Sequence, residues 1–536
     1  MSQEKTSSLV LRSSIVAALG GLLFGFDTAV ISGTTDALQK IFALSDFWLG
    51  FTVSSALIGT ILGAATIQYP ANRLGRKPTL ALIAILYLIS AIGSAFPWDW
   101  YSFIFFRFLG GIGVGGASVV SPLYTAEIAP PKKRGFLVAL TQFNIVFGIL
   151  LAYISNYIIV ALNLGDNAWR WMFGVEAVPA FFFWVALNYN PESPRWLCSK
   201  GRFDEARALL SKLILNEKEA DEELDAIKKS LESERSAGKE RLFCWRYRKP
   251  IMLAIAIAAF NQLSGINTIM YYAPKVFKMA GASEQAAMFF PAIIGLTNFV
   301  FTMAALFCID KFGRKKLMYV GSIGYITSLL FVGYMFTKYS AEFNNAIKAE
   351  EAAVVAAEQP QDVTTALVSE DEKSGEDAVL AQDVEAIAEQ SDAENASNAT
   401  DVALADAIET PATSAETTAT AKAAVPRAGI LGVLVGLMVF IMAHAFGQGA
   451  CIWVFISEVF PNSVRAQGNA LGCFTHWILN AIIACLFPPC LAALGPAVIF
   501  YTFAGFMVLQ LLWVAFVMPE TKHVPLEEMM KKLGVE

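Results

Sequence analysis

Asn72-Arg73-Leu74-Gly75-Arg76-Lys77 recurs later in the chain as Asp310-Lys311-Phe312-Gly313-Arg314-Lys315. Two more signatures recur. Glu127 followed by Arg134 returns as Glu458 and Arg465, and Pro191-Glu192-Ser193 returns as Pro519-Glu520-Thr521. The intervals between the copies of these two signatures are nearly equal, whereas the interval for the first signature is shorter by about 90 residues. The chain is therefore a duplicated unit that carries an insertion in its second copy, between Lys316 and Glu458.

The composition indicates a membrane protein. Of the 536 residues, 56% are hydrophobic and only 16% are charged, whereas a soluble domain carries about 25% charged residues. A helix needs about 20 largely apolar residues to cross a bilayer. The chain contains twelve such stretches: 12–33, 48–69, 79–97, 101–123, 136–161, 170–189, 251–273, 285–308, 317–337, 429–455, 467–489 and 495–518. We therefore predict an all-α membrane protein whose twelve transmembrane helices form two six-helix bundles.

These spans divide the chain into a bundle, a linker, a second bundle with an insertion, and a tail. The predicted parts are 1–189 for the first bundle, 190–250 for a cytosolic helical linker, 251–337 and 428–518 for the second bundle, 338–427 for the insertion, and 519–536 for the tail. Within the linker, apolar residues recur every three or four positions from Phe203 to Leu213, and this pattern predicts an amphipathic helix. A second linker helix is predicted over about 219–234.

The insertion differs from the rest of the chain in its charge. Residues 338–427 carry 19 acidic and five basic side chains and few aromatic ones. Such a segment cannot bury enough apolar surface to fold alone, so we predict that it is disordered. It is either a solvated spacer or an arm that attracts cations or docks onto a partner that the sequence does not identify.

The basic residues of the short loops predict the orientation. Lysine and arginine cluster after the even-numbered spans, as in Arg73, Arg76 and Lys77, and loops rich in these residues stay in the cytosol. We therefore expect a multi-pass protein of the inner or plasma membrane with both termini cytosolic and the insertion facing outward. The first apolar run continues through Asp27 without a small-residue cleavage site, so no cleaved signal peptide is predicted.

Asp27 and Arg107 are the most informative charged residues within the spans. Asp27 lies more than half-way along the first span, and Arg107 lies in the fourth. A lone charge at the bilayer centre costs about 2.5–3.5 kcal/mol, which a partner of opposite charge offsets. A carboxylate paired in this way can exchange between protonated and ionised forms. The pair is therefore a candidate proton site, and the alternative is a static ion pair that locks the bundle.

Neutral side chains that form hydrogen bonds make up a second group of candidates. Amides both donate and accept, which suits hydroxyl groups, and flat tryptophan rings suit the C–H face of a sugar. The candidate substrate-binding residues are Gln142, Asn261, Gln262, Asn267, Tyr271, Asn298, Trp453, His476, Trp477 and Asn480. Taken singly, each amide is better explained as a hydrogen bond between helices, whereas the set on the fifth, seventh, eighth, tenth and eleventh spans favours a polyhydroxylated solute. Gln262 and Asn267 can share a pocket only if their helix unwinds near Gly265.

Several motifs together resemble the sugar porters of the major facilitator superfamily, most closely the bacterial proton-coupled xylose and hexose symporters. The resemblance covers nearly all of the chain except 338–427. The motifs are Gly25-Phe26-Asp27-Thr28-Ala29-Val30-Ile31-Ser32-Gly33, Arg107-x-x-x-Gly111-x-Gly113-x-Gly115, Glu127 with Arg134-Gly135, Pro191-Glu192-Ser193-Pro194-Arg195-Trp196-Leu197, and Gln262-Leu263-Ser264-Gly265-Ile266-Asn267.

The resemblance implies the major facilitator fold and specific roles for the candidates. Gln142, Gln262, Asn267, Asn298, Trp453, Trp477 and Asn480 would line the sugar site, and Asp27 with Arg107 would couple a proton to the sugar. The implied cytosolic gating residues are Arg76, Glu127, Arg134, Glu192, Arg195, Arg314, Glu458 and Arg465. The chain departs from the family pattern in four respects. Asn261 and Ile149 each stand where a glutamine is expected, His476 stands where an asparagine or glutamine is usual, and Gly449-Ala450-Cys451-Ile452-Trp453 has no proline before the tryptophan.

The expected function is symport of a proton and a monosaccharide, a hexose or a pentose, by alternating access. A sugar uniporter, a cyclitol symporter and a sugar receptor that does not transport remain alternatives. We expect no cofactor, no metal and no enzymatic activity, because no nucleophile–base or metal-ligand pattern is evident. The expected partners are the sugar, the proton and the lipid bilayer but no nucleic acid, and we expect a monomer.

Overall fold

The computed structural model describes residues 7–236, 240–358, 427–522 and 524–535. Helices and the turns between them account for all regular structure in these ranges, with no strand among them. The predicted all-α fold is confirmed.

The membrane helices are numbered α1–α12 in chain order. They are α1 Ser8–Val30, α2 Asp46–Thr66, α3 Arg76–Ala95, α4 Trp100–Ile128, α5 Arg134–Ala161, α6 Ala168–Gly174 with Ala177–Leu187, α7 Arg248–Leu263 with Ile266–Tyr271, α8 Glu284–Phe312, α9 Arg314–Lys338, α10 Arg427–His444 with Ala450–Glu458, α11 465–494 and α12 496–516. In the described part of the chain, 11 helical stretches are long and apolar enough to span a membrane. The last stretch contains both α11 and α12, which meet at the non-helical Gly495 (φ 76°, ψ 161°).

Two helices of the second half are interrupted at glycines, as the sequence predicted for Gly265. Gly265 adopts φ 82° between the two parts of α7, a left-handed conformation that costs glycine little. In α10, a π-helical turn over Ala445–Gly449 separates the two segments. Turns of this kind occur often at functional sites. α6 also has two segments, which the predicted span 170–189 did not anticipate.

Short helices follow α6 and α9. The linker contains Pro194–Ser199, Phe203–Ile214 and Glu217–Ser236, and their buried apolar faces pack into one small core, in agreement with the predicted amphipathic pattern. The prediction of disorder from residue 338 onward is wrong for its first part, because Ser340–Glu358 is a helix. Its many alanine and glutamate residues favour a helix. It belongs almost entirely to a second unit, Ala341–Val425, and residues 359–426 lie outside the described residues.

The two bundles touch along a seam between α2 and α11. Ser54 Oγ donates to the carbonyl oxygen of Ala481 at 2.9 Å. At Gly50, a Cβ atom would lie 2.0 Å from the carbonyl oxygen of Cys485, so only glycine allows this approach. On the neighbouring side, Tyr153 Oη of α5 donates to the carbonyl oxygen of Met270 in α7 at 2.8 Å. The backbones of the two bundles are therefore in direct contact at the end where α2 begins.

A group of polar side chains joins the same ends of the bundles, and we call it the charged clasp. Lys278 Nζ lies 2.8 Å from Asp36 Oδ2. Lys275 Nζ donates to Gln39 Oε1 at 3.1 Å and lies 4.0 Å from Asp46 Oδ1, and Gln39 also donates to Asp46 at 3.1 Å. Both lysines follow α7 in the second half, whereas their partners lie between α1 and α2 or begin α2. Separation of the two halves at this end would break the contacts of both lysines with the first half, whereas the 3.8 Å contact between Lys278 and Glu284 lies within the second half.

We predict that Lys278→Gln favours separation at this end. The side chains of Lys278 and Asp36 are 23% and 40% exposed, and a pair so accessible contributes about 0.2–1 kcal/mol. The population with the seam open should therefore rise about 1.4- to 5-fold. The measurement is the rate at which a maleimide modifies Cys485 in detergent, with the six other cysteines replaced.

Salt and charge reversal provide the controls. The effect should shrink in about 1 M salt, where screening acts over about 3 Å. Asp36→Lys combined with Lys278→Asp should return the rate towards the parent value. Lys532→Gln, which removes an exposed pair with Glu528 in the tail helix Leu526–Leu533, should have no effect. An unchanged rate in Lys278→Gln would show that the clasp does not contribute to closure.

Candidate functional site

Asp27 and Arg107 meet between α1 and α4. Arg107 Nη1 donates to Asp27 Oδ1 at 2.5 Å, and Nη2 lies 3.4 Å from Oδ2 and 3.3 Å from the carbonyl oxygen of Asp27. Only 3% of the arginine side chain and 2% of the aspartate side chain are exposed. The ring of Phe173 in α6 lies 5.3 Å from the guanidinium carbon. Removal of one partner would leave a buried charge unpaired, which costs about 3–5 kcal/mol.

Glu176 adjoins this pair and was not among the predicted site residues. It is 1% exposed, precedes the second segment of α6, and has Asp27 and Arg107 as electrostatic neighbours. No N–H or O–H group of the described residues donates to either of its carboxyl oxygens. The sequence did contain a signal for it, since an acid within the apolar stretch 170–189 is the same kind of outlier as Asp27.

A small cavity of about 10 Å³ lies beside the ion pair, and Tyr271 of the second half forms part of its lining. Asp27, Arg107 and Tyr271 line it, together with residues of α2 such as Val53 and Thr60. Asn480 Nδ2 of α11 donates to Tyr271 Oη at 3.0 Å. Tyr271 and Asn480 are both predicted substrate-binding residues. One tyrosine therefore separates the acid of the first half from the amides of the second.

The break in α7 brings three predicted amides together. Gln262 Nε2 donates to Asn261 Oδ1 at 2.9 Å, and Asn267 Nδ2 donates to Gln262 Oε1 at 3.0 Å. Gln262 Nε2 also lies 3.0 Å from Nδ1 and 3.2 Å from Nε2 of His476 in α11. Asn261 stands where the family usually has a glutamine, and His476 stands where it usually has an asparagine or glutamine. With these two residues present, the side chains of α7 and α11 still form one connected network.

Aromatic rings surround this network. The His476 ring centroid lies 5.1 Å from that of Trp453 in α10 and 5.0 Å from that of Trp477 in α11. Trp477 in turn lies 5.8 Å from Phe24 of α1. Trp453 is 43% exposed, so part of its surface is not covered by the described residues. The two tryptophans and the amide network thus belong to one locus.

In the described part of the chain, Gln142 and Asn298 form no hydrogen bond with the amide network or with the Tyr271–Asn480 pair. Gln142 is half-buried on α5, and its side chain forms no hydrogen bond with another described residue. Asn298 on α8 is 7% exposed and accepts from Thr302 Oγ1 at 3.3 Å. The structure therefore leaves the substrate-binding roles of Gln142 and Asn298 as predictions.

A tyrosine pair relates the two halves. The interval from Tyr87 in α3 to Tyr325 in α9 equals the interval from Asn72 to Asp310, which begin the duplicated loops. Tyr87 is buried, and its hydroxyl has Asp27 and Glu176 as electrostatic neighbours but no hydrogen-bond partner among the described residues. Tyr325 Oη instead lies 2.5 Å from Nδ1 of His444. The tyrosine at this duplicated position therefore lies near two carboxyl groups in the first half and near an imidazole in the second half.

The duplicated loops hold matching charged clusters at the linker end of the bundles. In the first half, Arg76 Nε and Nη2 donate to the carboxylate of Glu127 at 2.8 and 2.9 Å. Glu192 accepts from the backbone N–H groups of Arg76, Lys77 and Ser193. Burial raises the pKa of Glu192, and these N–H donors oppose that effect. The cluster ties α3, α4 and the start of the linker together.

The second half repeats this arrangement. Arg314 Nη2 donates to Glu458 Oε1 at 2.8 Å, and Glu520 accepts from the backbone N–H groups of Arg314 and Lys315. Thr521 Oγ1 also donates to Glu458 at 2.6 Å. The match between the halves follows from the duplicated sequence.

The remaining predicted gating residues have other partners. Arg134 Nη2 donates to Glu223 Oε1 of the linker helix Glu217–Ser236 at 3.0 Å. Arg195 donates to Ser230 Oγ of the same helix at 3.2 Å, and Arg465 Nε lies 3.4 Å from the carbonyl oxygen of Phe460. Among the residues that the structure describes, no group of three His, Cys, Asp or Glu side chains could hold a metal ion.

Known proteins resemble the chain over almost its whole length. The profile of the sugar (and other) transporter family matches residues 13–357 and 413–533. The D-xylose-proton symporter of Escherichia coli strain K12 is 31% identical over 565 residues, with 99% of this chain and 96% of the relative covered. Inositol transporter 4 of Arabidopsis thaliana is 32% identical over 543 residues, with 98% and 92% covered.

A solved transporter structure also resembles this chain in its fold. The inward open conformation of the xylose transporter XylE from E. coli superposes with a TM-score of 0.71 at 30% identity, with 98% of this chain and 99% of that chain covered. The family is one of transporters rather than enzymes. With a profile match across both bundles and relatives above 30% identity over nearly the full length, the chain belongs to the sugar porters of the major facilitator superfamily.

Proposed function

We propose that the protein is a symporter that moves a monosaccharide together with a proton. The observation that carries this proposal is the cavity shared by Asp27, Arg107 and Tyr271. It places a buried acid next to a tyrosine whose hydroxyl accepts a hydrogen bond from Asn480. A change of protonation at Asp27 can therefore alter the residues next to the sugar. The D-xylose-proton symporter named above supports the same function class.

The charges of the first half define the proton site. Two buried acids, Asp27 and Glu176, share one buried arginine, Arg107. If both acids were ionised, the cluster would carry a net negative charge in a low-dielectric environment, which is unfavourable. Glu176 receives no hydrogen bond from a described residue, whereas Asp27 is paired. We therefore assign the resting state to ionised Asp27 and Arg107 with a neutral Glu176.

The transport cycle follows from this assignment. Asp27 takes up a proton from outside, its pairing with Arg107 weakens, and the sugar binds to the amide network around Gln262. The halves then rock about the site. Asp27 releases its proton to the cytosol and pairs with Arg107 again. The ion pairs Arg76–Glu127 and Arg314–Glu458 each join helices within one half at the linker end, so they would hold each half together while the halves rock.

The orientation completes the proposal. We place the linker, both termini and the duplicated basic loops in the cytosol, because short loops rich in lysine and arginine stay there. The charged clasp would then close the outer end in a plasma or inner membrane. On this basis the structure corresponds to a state that is closed outside.

A cyclitol:proton symporter is the second candidate. Inositol transporter 4 of Arabidopsis is 32% identical to this chain, and a cyclitol offers a ring of hydroxyls much like that of a sugar. A uniporter is less consistent with the chain, because a buried acid–arginine pair is unnecessary when no proton is coupled.

Uptake into proteoliposomes tests the proposal. Radiolabelled hexoses, pentoses and cyclitols are supplied with and without an inward proton gradient. Accumulation of a monosaccharide that depends on the gradient is the expected result. Gradient-independent equilibration would indicate a uniporter, and preference for a cyclitol would favour the second candidate. Binding without uptake would indicate a receptor.

We predict that Asp27→Asn abolishes accumulation driven by the proton gradient while sugar exchange survives in part. The amide imitates the protonated acid, so the variant can bind sugar but cannot release a proton. Asp166→Asn, which changes an exposed carboxylate in the loop before α6, is the matched control. An Asp27→Asn variant that still concentrates sugar against a gradient would make Asp27 structural.

Glu176→Gln should behave differently from Asp27→Asn. The amide keeps the neutral form that we assign to Glu176, so accumulation driven by the gradient should be largely retained. The comparison is made by parallel uptake assays of the two variants. Loss of accumulation in Glu176→Gln as complete as in Asp27→Asn would mean that Glu176 also carries the transported proton.

We expect Gln262→Ala and Gln142→Ala to weaken sugar binding by at least about 1–3 kcal/mol, or about 5- to 150-fold in Kd. Gln262→Ala also leaves its three side-chain partners unsatisfied, so its effect should be the larger of the two. Calorimetric titration of the purified variants measures this difference, and Gln68→Ala on the exposed surface is the control. Parent affinity in both variants would place the sugar site on other helices.

A further inference from the structure

The segment that joins the linker to α7 is fixed to the second half by some of its residues. The Glu240 carboxylate accepts from Ser463 Oγ at 2.8 Å, and the Glu240 carbonyl oxygen accepts from Gln467 Nε2 at 2.8 Å. Gln467 Oε1 in turn accepts from the Leu242 N–H at 3.0 Å. The side chains of Leu242 and Tyr247 are buried in a hydrophobic core that includes residues of α10 and α12. These contacts hold the segment against the ends of α10, α11 and α12.

Two aromatic residues between these anchors are not covered by the protein. Phe243 and Trp245 are 76% and 78% exposed, although both side chains are large and apolar. The helical stretch of α7 that is long and apolar enough to span a membrane begins at Trp245. Both rings therefore lie where the hydrocarbon core of a bilayer meets the headgroups. Tryptophan is enriched at this depth, because its ring is apolar and its N–H group is polar.

Four basic side chains accompany the two rings. Arg241, Arg246, Arg248 and Lys249 are all exposed, and residues 241–250 contain no aspartate or glutamate. The guanidinium carbon of Arg248 lies 4.0 Å from the centroid of the Trp245 ring, so cation and ring form one surface. In the part of the chain that the structure describes, no carboxylate forms an ion pair with any of the four cations.

This combination of groups matches an anionic phospholipid. A planar guanidinium can donate two parallel hydrogen bonds to the oxygens of one phosphate, and the neighbouring rings can contact the acyl chains. Glu240 is an electrostatic neighbour of Arg246, but it supplies one negative charge against four positive ones. A zwitterionic lipid brings a positive charge with each phosphate, so an anionic lipid is the better partner for this surface.

We propose that Phe243, Trp245, Arg246 and Arg248 form a binding site for an anionic phospholipid in the leaflet on the linker side of the membrane. The two guanidinium groups bind the phosphate, and the two rings lie against the acyl chains. A lipid bound in this way ties the junction of the linker and α7 to the membrane surface. The site lies at the start of α7 rather than at the break near Gly265, so it does not depend on which solute the protein carries.

Native mass spectrometry of the detergent-purified protein tests the site. The protein is titrated separately with phosphatidylglycerol and with phosphatidylcholine of the same acyl chains, which gives two apparent dissociation constants. One cation near a membrane surface strengthens the binding of anionic lipid about 5-fold. The two arginines should therefore make the first phosphatidylglycerol bind about 25-fold more tightly than the first phosphatidylcholine.

The variants show whether the arginines cause this preference. Arg246→Gln and Arg248→Gln should each lower it about 5-fold, and the double variant should abolish it. Arg248→Lys keeps the charge and should retain most of the preference. Trp245→Ala should weaken the binding of both lipids, because the ring contacts acyl chains in either case. Arg207→Gln removes an equal charge from an exposed linker pair with Asp221 and should leave both constants unchanged.

Inorganic phosphate distinguishes a lipid site from a site for a free anion. In excess over the lipid, it should not displace phosphatidylglycerol, because it makes no contact with the two rings. Displacement by phosphate would mean that the cluster is an anion site, and the proposal would be wrong. It would also be wrong if the wild-type protein bound both lipids equally, or if Arg207→Gln lowered the preference as much as Arg246→Gln.

Discussion

The buried ion pair between Asp27 and Arg107 constrains the whole first half, because neither charge can be left alone in a membrane. The pair fixes α1 against α4 at a distance set by two hydrogen bonds. It brings Phe173 and Glu176 of α6 to the same point. A site that depends on one strong attraction can be altered by one proton, since protonation of the acid removes the charge that holds the arginine.

The second half has a different physical character. Its buried polar groups are amides, hydroxyls and imidazoles, as in the network around Gln262 and the contact between Tyr325 and His444. Neutral groups of this kind cost less to rearrange than charges, and they recognise hydroxyls by shape and direction. The interruptions of α7 at Gly265 and of α10 at Ala445–Gly449 lie in the helices that carry this network and Trp453.

The sequence predicted much of this arrangement for clear physical reasons. A charge within an apolar span needs a partner, so Asp27 and Arg107 could be paired in advance, and the spacing of Gln262 and Asn267 required a break near Gly265. Glu176 was missed although its signal was of the same kind.

Other features depended on information that the sequence patterns did not carry. The partner of Arg134 could not be predicted, because Glu223 lies 89 residues away in a helix whose docking depends on tertiary packing. The helix Ser340–Glu358 was not predicted because the net negative charge of the insertion indicates disorder, whereas the alanine and glutamate residues of this part favour a helix.

The location of the charged cluster in one half also has an electrical consequence. In the proposed cycle, ionised Asp27, Arg107 and a neutral Glu176 sum to zero, so the empty carrier reorients without moving net charge through the bilayer. Protonation of Asp27 leaves the charge of Arg107 uncompensated, and the loaded carrier then moves one elementary charge. That step gains about 2.3 kcal/mol for each 100 mV of membrane potential. Voltage would thus drive the loaded step and leave the return of the empty carrier unaffected.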